Sequence, residues 1–460
     1  MEMFYRILKT LFTGLFLISL SFSEKPAGGD FPAGEVPGPG DEGKYLQIDA
    51  PDEGFDIWQP GERNGGYRYG PSMILNTDGS IDVWRAASGP GDIVDLIAYK
   101  RLYDGGKKGT NEVIAVKPTS ESHDQKWTCD PGVIKFGGYY YIGYTTTANP
   151  AGVDNDVCVA RSKNPEGPYE KWTGSGWGDE PVPLVEYTDD PSGFGAGEPS
   201  FVLMGDTLYI YYSWNEDNST TRVATADATD ENWPATLEFH GECIPAKDGG
   251  DSADVKYCDE YGRFVAVFTE KRFSDESYVA VWESFDGINF RQSGFVKNNT
   301  AKKLHNCGIS GRADGHIGKG DPVYLSYAYG GAGDGDWGNW CTRMHEVKLS
   351  LADVPKTDLT AESNSDNITV TRRKQSVIPE ITTIKAENQV YTISEPGRVW
   401  VLALDTDCDY FPVLSGVKFD GYDESVIKMN GSRMIPVSPG TTRVYISWHG
   451  FTGEFTVHVE

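Results

Sequence analysis

The chain has 460 residues, with 41 basic side chains against 68 acidic ones and a formal charge of -27. That balance excludes a surface built to neutralise the phosphates of nucleic acid or anionic lipid. With 54 Gly, 26 Pro and 12% aromatic residues, the composition favours strands and turns over amphipathic helices, in a length sufficient for one large and one small domain.

Residues 1–23 carry Arg6 and Lys9 ahead of an apolar run over 11–22, which reads as a secretory signal peptide. No Cys lies near its end, so lipid attachment is not expected. Residues 24–44, EKPAGGDFPAGEVPGPGDEGK, have almost nothing to bury and read as a flexible tether. No other stretch is long and apolar enough for a membrane helix, so the expectation is an exported protein that is not inserted in a membrane.

A hairpin pattern then recurs: GPSMILNTDGSIDVW over 70–84, CDPGVIKFGGYYYIGYTT over 129–146, EPSFVLMGDTLYIYYSW over 198–214, DVKYCDEYGRFVAVF over 254–268, and a weaker copy over 306–329 ending PVYLSYAY. Each reads as apolar strand, Gly or Asp-Gly turn, apolar strand, followed by further strand-like sequence. Five such units predict an all-β, five-bladed propeller of four-stranded blades over 45–355. A polar stretch over 356–366 predicts a linker. Beyond it, alternating strands over 367–460, such as RVWVLAL and TRVYISW, predict a small β-sandwich resembling bacterial immunoglobulin-like modules. The seven cysteines are scattered and never form a CxxC pair, which argues against a zinc site and a disulfide framework and favours buried thiols.

At the entry of four copies stand Gly70, Asp130, Glu198 and Asp254. Asp130 and Asp254 each precede their turn glycines, Gly138 and Gly262, by eight positions, which predicts one register for both. Carboxylates at equivalent places in three blades converge on one axis.

The Asp130-Pro131 hairpin, the run ARSKNPEGPYEKW and the Glu198-Pro199 hairpin resemble glycoside hydrolase family 43 and its five-bladed relatives over roughly residues 66–350. The resemblance implies a funnel lined by an Asp base, an Asp that orients and tunes, and a Glu acid. It matches Asp130 to the second blade's Asp and Glu198 to the acid; Gly70-Pro71 stands where the family has its Asp-Pro base. Asp130 and Asp254 remain alternatives for base and orienter. Protonating a leaving oxygen while an oxocarbenium-like centre is attacked requires one carboxyl protonated and another ionised.

Arg68, Trp127, His305, Arg312 and His316 are the further candidates for substrate contact, through stacking or hydrogen bonds to hydroxyls. No cofactor is expected, although related propellers hold a central cation, so calcium stays open. The expected activity is hydrolysis of a glycosidic bond in a plant or host oligosaccharide or polysaccharide. The alternatives are a carbohydrate-binding propeller without catalysis, which Gly70 favours, and a phosphorolytic enzyme, for which Arg68 and Arg312 hint at the basic cluster required.

Overall fold

The computed structural model describes residues 43–59, 67–88, 95–119, 121–215, 219–245, 250, 253–331, 339–368, 381–405, 410–413 and 416–460. The expected signal peptide and nearly all of the tether lie outside the described residues. No helix among the described residues is long and apolar enough to cross a membrane.

Five antiparallel sheets follow one another along the chain. Their innermost strands are Arg68–Leu75, Cys129–Phe136, Ala196–Met204, Asp254–Cys258 and Leu304–Ile309. Each touches the next, and the fifth touches the first, so the ring closes. This is a five-bladed propeller. The inner strands are buried along nearly their whole length because both faces are covered by neighbouring sheets. Separate apolar clusters fill the spaces between sheets: Ile74, Trp84 and Val133 between first and second, Ile134, Phe201 and Trp233 between second and third, Val202, Val255 and Phe264 between third and fourth. Val265, Leu304 and Ile309 pack between fourth and fifth, and Met73, Val83 and Met344 between fifth and first.

Closure also joins segments far apart in the chain. Tyr45–Asp49 and Phe55–Trp58 both pair with Cys341–Ala352, so the N-terminal strands form the outer edge of the fifth sheet. Nothing in the fifth copy itself supplies that edge, which explains its thinner appearance in the sequence.

One position in each inner strand fastens the ring. Ser72 Oγ accepts from the N–H of Val133 at 3.0 Å, Ser200 Oγ from Val255 at 2.9 Å, and Asp254 Oδ2 from Ile309 at 2.8 Å. In the second and fifth sheets the same position is Gly132 or Gly308. A Cβ there would stand 1.9 Å from Pro199 O or 2.0 Å from Pro71 O, so only glycine lets the next sheet approach.

The opposite end of the central channel is closed by residues 311–317. Carbonyls of Gly311, Ala313, Asp314 and Gly315 accept from the N–H groups of Leu75, Lys135, Leu203 and Tyr257, taking one bond from each of the other four sheets. The strand His316–Ile317 adds in parallel to Asp254–Cys258.

The segment expected as a linker is fastened to the propeller. Asn364 is 4% exposed, and its amide donates to Ser277 O, Ala301 O and Thr300 Oγ1. Ser365 N donates to Thr300 O, and Leu359 packs on the apolar core of the third and fourth sheets. The C-terminal residues form three small sheets of three, four and three strands around one core that includes Ile384, Val401, Ile427, Val444 and Phe455. Six of the seven cysteines are described, and all six are buried free thiols, including Cys243 and Cys258.

Candidate active site

At the end of the channel opposite the 311–317 closure lies a pocket lined by Gly70, Pro71, Ser72, Asp130, Pro131, Glu198, Pro199, Ala253, Asp254, Asn306 and Cys307. It unites the three sequence-predicted carboxylates. The backbone explains the geometry. Gly70, Asp130, Glu198 and Asn306 head four of the inner strands with φ of 58°, 47°, 53° and 29°. Each sits at a register shift, between Tyr69 and Ser72, Cys129 and Gly132, Gly197 and Ser200, or His305 and Cys307. Such bulges turn a side chain out of the alternating pattern and aim it elsewhere. Here the bulged residues meet at the pocket.

Left-handed backbone costs a residue with a Cβ about 1–2 kcal/mol. Gly70 shows how the site avoids that strain, whereas Asp130, Glu198 and Asn306 retain it. The Gly70 position also accommodates its neighbour: a Cβ there would lie 3.5 Å from Asp130 Oδ1. The Asp130 carboxylate therefore leans over the place where the first blade carries no side chain.

Glu198 is 8% exposed and Asp130 is 7% exposed. Glu198 N donates to Thr145 Oγ1 at 2.7 Å, and Asn306 Nδ2 donates to Glu198 Oε1 at 3.0 Å. Asn306 was not singled out from the sequence. Its signal was available in its place at the entry of the fifth copy, equivalent to Asp130 and Glu198.

Asp254 differs from the register expected of it. The turn between Phe136 and Tyr139 holds two residues, but that between Cys258 and Arg263 holds four. Counting back from the turn glycine therefore places Asp254 two positions too early. It stands opposite Val267, as Ser200 stands opposite Tyr211, and thus occupies the ring-fastening position instead of the bulge. Besides Ile309 N, it accepts from Ser200 Oγ at 2.8 Å and pairs with the buried ammonium of Lys256. Its carboxylate is held on three sides where it lines the pocket.

Behind Asp130 lies a second carboxyl absent from the sequence reading. Asp95 accepts from Tyr67 OH at 2.5 Å and from Tyr69 OH at 3.2 Å. Burial raises its pKa to about 6 against the lowering effect of those bonds. Burial, followed by the charge of Asp95, pushes the Tyr69 hydroxyl well up, and burial and then Asp130 do the same to the Cys129 thiol.

The remaining candidates divide between the two ends. His305 is 4% exposed beside Asn306, its ring 5.2 Å from Tyr69, 4.9 Å from Trp340 and 5.1 Å from Phe273. Trp127 is half-buried at the same end, and its indole N–H donates to Asn155 Oδ1 at 3.0 Å. Arg68 precedes the first bulge but turns into the protein. It shares Glu112 with Arg85 and lies 4.1 Å over Trp58. Burial alone would raise Glu112; the two guanidinium groups outweigh it and bring its pKa to about 2.

Arg312 and His316 belong to the closing segment at the far end, five strand residues or about 17 Å from the bulges. Arg312 pairs with Asp321, and His316 bonds Asp259 and Leu203 O at 2.7 Å each. They do not join the pocket, because the fifth hairpin folds its long turn across the closed end. Among the described residues, no group of three or more His, Cys, Asp or Glu side chains is arranged to hold a metal.

No protein-family model and no curated protein sequence matches the chain. Solved structures do resemble it at low identity. A family 117 glycoside hydrolase of the marine bacterium Zobellia galactanivorans is 14% identical, over 67% of this chain and 92% of that one, with a TM-score of 0.49. The catalytic domain of a family 62 α-L-arabinofuranosidase of Coprinopsis cinerea is 12% identical over 68% and 99%, at 0.47. An endo-arabinase from Bacteroides thetaiotaomicron is 12% identical over 64% and 98%, at 0.45. The propeller architecture itself follows from the closed ring of five sheets.

Proposed function

We propose that the protein is a glycoside hydrolase whose reacting groups are Glu198 and Asp130. The observation that carries this reading is the pair of acidic residues held in left-handed backbone at equivalent bulges, facing one pocket, where the first sheet shows that glycine suffices for the fold. A strained carboxylate at two such positions is a cost to stability that a purely structural role does not require.

Glu198 is the proposed proton donor. Asn306 holds the carboxyl through Oε1, and from that fixed position in the pocket it would deliver a proton to a leaving glycosidic oxygen. Asp130, leaning over Gly70, is the proposed base or nucleophile. Asp254, already engaged by Lys256, Ser200 and the Ile309 N–H, is the proposed orienting residue. The substrate is an oligosaccharide or polysaccharide end that enters the mouth.

The absent first-blade acid favours a second reading, a propeller that binds glycan without cleaving it. A phosphorolytic site is disfavoured, because Arg68 is committed to Glu112 and Arg312 lies at the other end.

Release of reducing sugar from aryl glycosides and plant oligosaccharides, with Glu198→Gln and Asp130→Asn alongside, tests the assignment. Both substitutions are expected to lower turnover by roughly 10²–10⁴-fold with the fold intact. Absence of turnover in the unmodified protein, with glycan binding insensitive to Glu198→Gln, establishes the binding reading instead.

A further inference from the structure

A second concavity, of about 770 Å³, lies away from the mouth, between the edges of the first two sheets and the C-terminal module. Its volume falls within the range of small-ligand sites. Lys117 and Lys171 reach it from the propeller, and Tyr391, Arg398 and Trp400 from the module.

The cations there are unequally compensated. Lys117 pairs with Glu387, and Lys171 pairs with Asp124 while also donating to Lys117 O and Thr119 Oγ1. Arg398 lies with its guanidinium carbon 4.4 Å over the Trp400 ring, and its Nε donates to Ser432 Oγ at 3.1 Å. Among the described residues no carboxylate pairs with it, and the residue lines the cleft. Burial lowers its pKa with no opposing charge, and its own charge acts on Lys117. In a chain of net charge -27, this is a partly desolvated cation without a carboxylate partner among the described residues, on the wall of a cavity.

Such a guanidinium completes its hydrogen bonds with water or with a ligand, and its fork matches a carboxylate or a tetrahedral oxyanion through two parallel hydrogen bonds. Exposed carboxylates of Glu166, Glu180 and Glu395 stand on the rim, where they accept sugar hydroxyls but repel a dense polyanion. We propose that this cleft is a second glycan site that holds an isolated anionic sugar, a uronate or a sulfate ester, on Arg398. The sugar class rests on the carbohydrate reading of the mouth; the anion preference does not.

Calorimetric titration of the full chain tests it with three probes: xylotriose bearing one glucuronate branch, unbranched xylotetraose, and a monosulfated galactobiose. At least one charged probe is expected to bind about 10-fold or more tightly than the neutral one, with affinity falling as salt rises. Which charged probe binds identifies the anion. Arg398→Gln is expected to remove that preference, Arg398→Lys to restore part of it, and Glu198→Gln to leave it in place. Equal binding of all three probes, binding of none, or a preference lost in Glu198→Gln but kept in Arg398→Gln overturns the proposal. Turnover of neutral aryl glycosides by the same preparation separates the two readings: turnover without an Arg398-dependent preference keeps only the mouth, and the preference without turnover keeps only the cleft.

Discussion

The two ends of the propeller channel handle left-handed backbone differently. At the closed end, turns between the first and second strands of a sheet use glycine where φ is positive, at Gly79, Gly137, Gly138, Gly205 and Gly262. At the mouth, Asp130, Glu198 and Asn306 adopt the same conformation with a Cβ in place. The closed end also gives its polar side chains local partners, as in Arg312 with Asp321 and His316 with Asp259. Other residues with a Cβ, among them Asp104, Lys271 and Phe273, also adopt positive φ elsewhere; what marks the mouth as the end kept for chemistry is that two acids and an amide do so at equivalent bulges and share one pocket. Charged residues and histidines alone do not distinguish the ends, since both possess them.

The largest test of this contrast replaces each strained acid by glycine. Asp130→Gly and Glu198→Gly are expected to lower turnover by roughly 10²–10⁴-fold. In denaturant unfolding they should leave stability unchanged or raise it by up to about 1 kcal/mol, because the left-handed penalty is relieved. A comparable loss of stability in both variants would show that the acids hold the mouth together, and would remove the basis of the contrast.

Next in size is Glu112→Gln. It leaves Arg68 and Arg85 without their shared charge behind the mouth and is expected to cost about 3–5 kcal/mol in chemical unfolding. An unfolding midpoint unchanged from the parent would show that this ion cluster does not brace the first inner strand.

Asp95 gives a pH-dependent test. Its folded pKa of about 6 lies above the ordinary value of 3.8. Its contribution to stability is therefore fully present below about 3.8 and lost as pH rises through 6. Melting curves of Asp95→Asn should lack that part of the decline between about pH 4 and 7. An identical pH profile in parent and variant would mean that Asp95 is ionised without penalty beneath Tyr69. The smallest effect belongs to the closed end, where His316→Ala is expected to leave turnover unaltered. A fall of more than about tenfold would mean that the closing segment reaches the chemistry.

Much of the fold was legible because hairpins are local: alternating or continuous apolar runs around Gly turns specify paired strands without distant partners. Asp130 and Glu198 were legible for the same reason, each fixed by the Pro that follows it and by the two-residue turn beyond. Asp254 misled because a longer turn shifted the count by two, and the parity of a strand survives such a shift while the bulge position does not. Arg312 and His316 misled because a turn's destination across a channel is not encoded in its own residues.

The sequence by itself determined five apolar hairpins, their approximate boundaries and the acids at two entries, all consequences of local strand and turn chemistry. Only the tertiary structure decided that Tyr45–Asp49 completes the fifth sheet, that Asn306 bonds Glu198, and that Asp254 is spent on Lys256 and Ile309. Those contacts join residues brought together by closure of the ring, and a circular closure has no signature in any single stretch of chain.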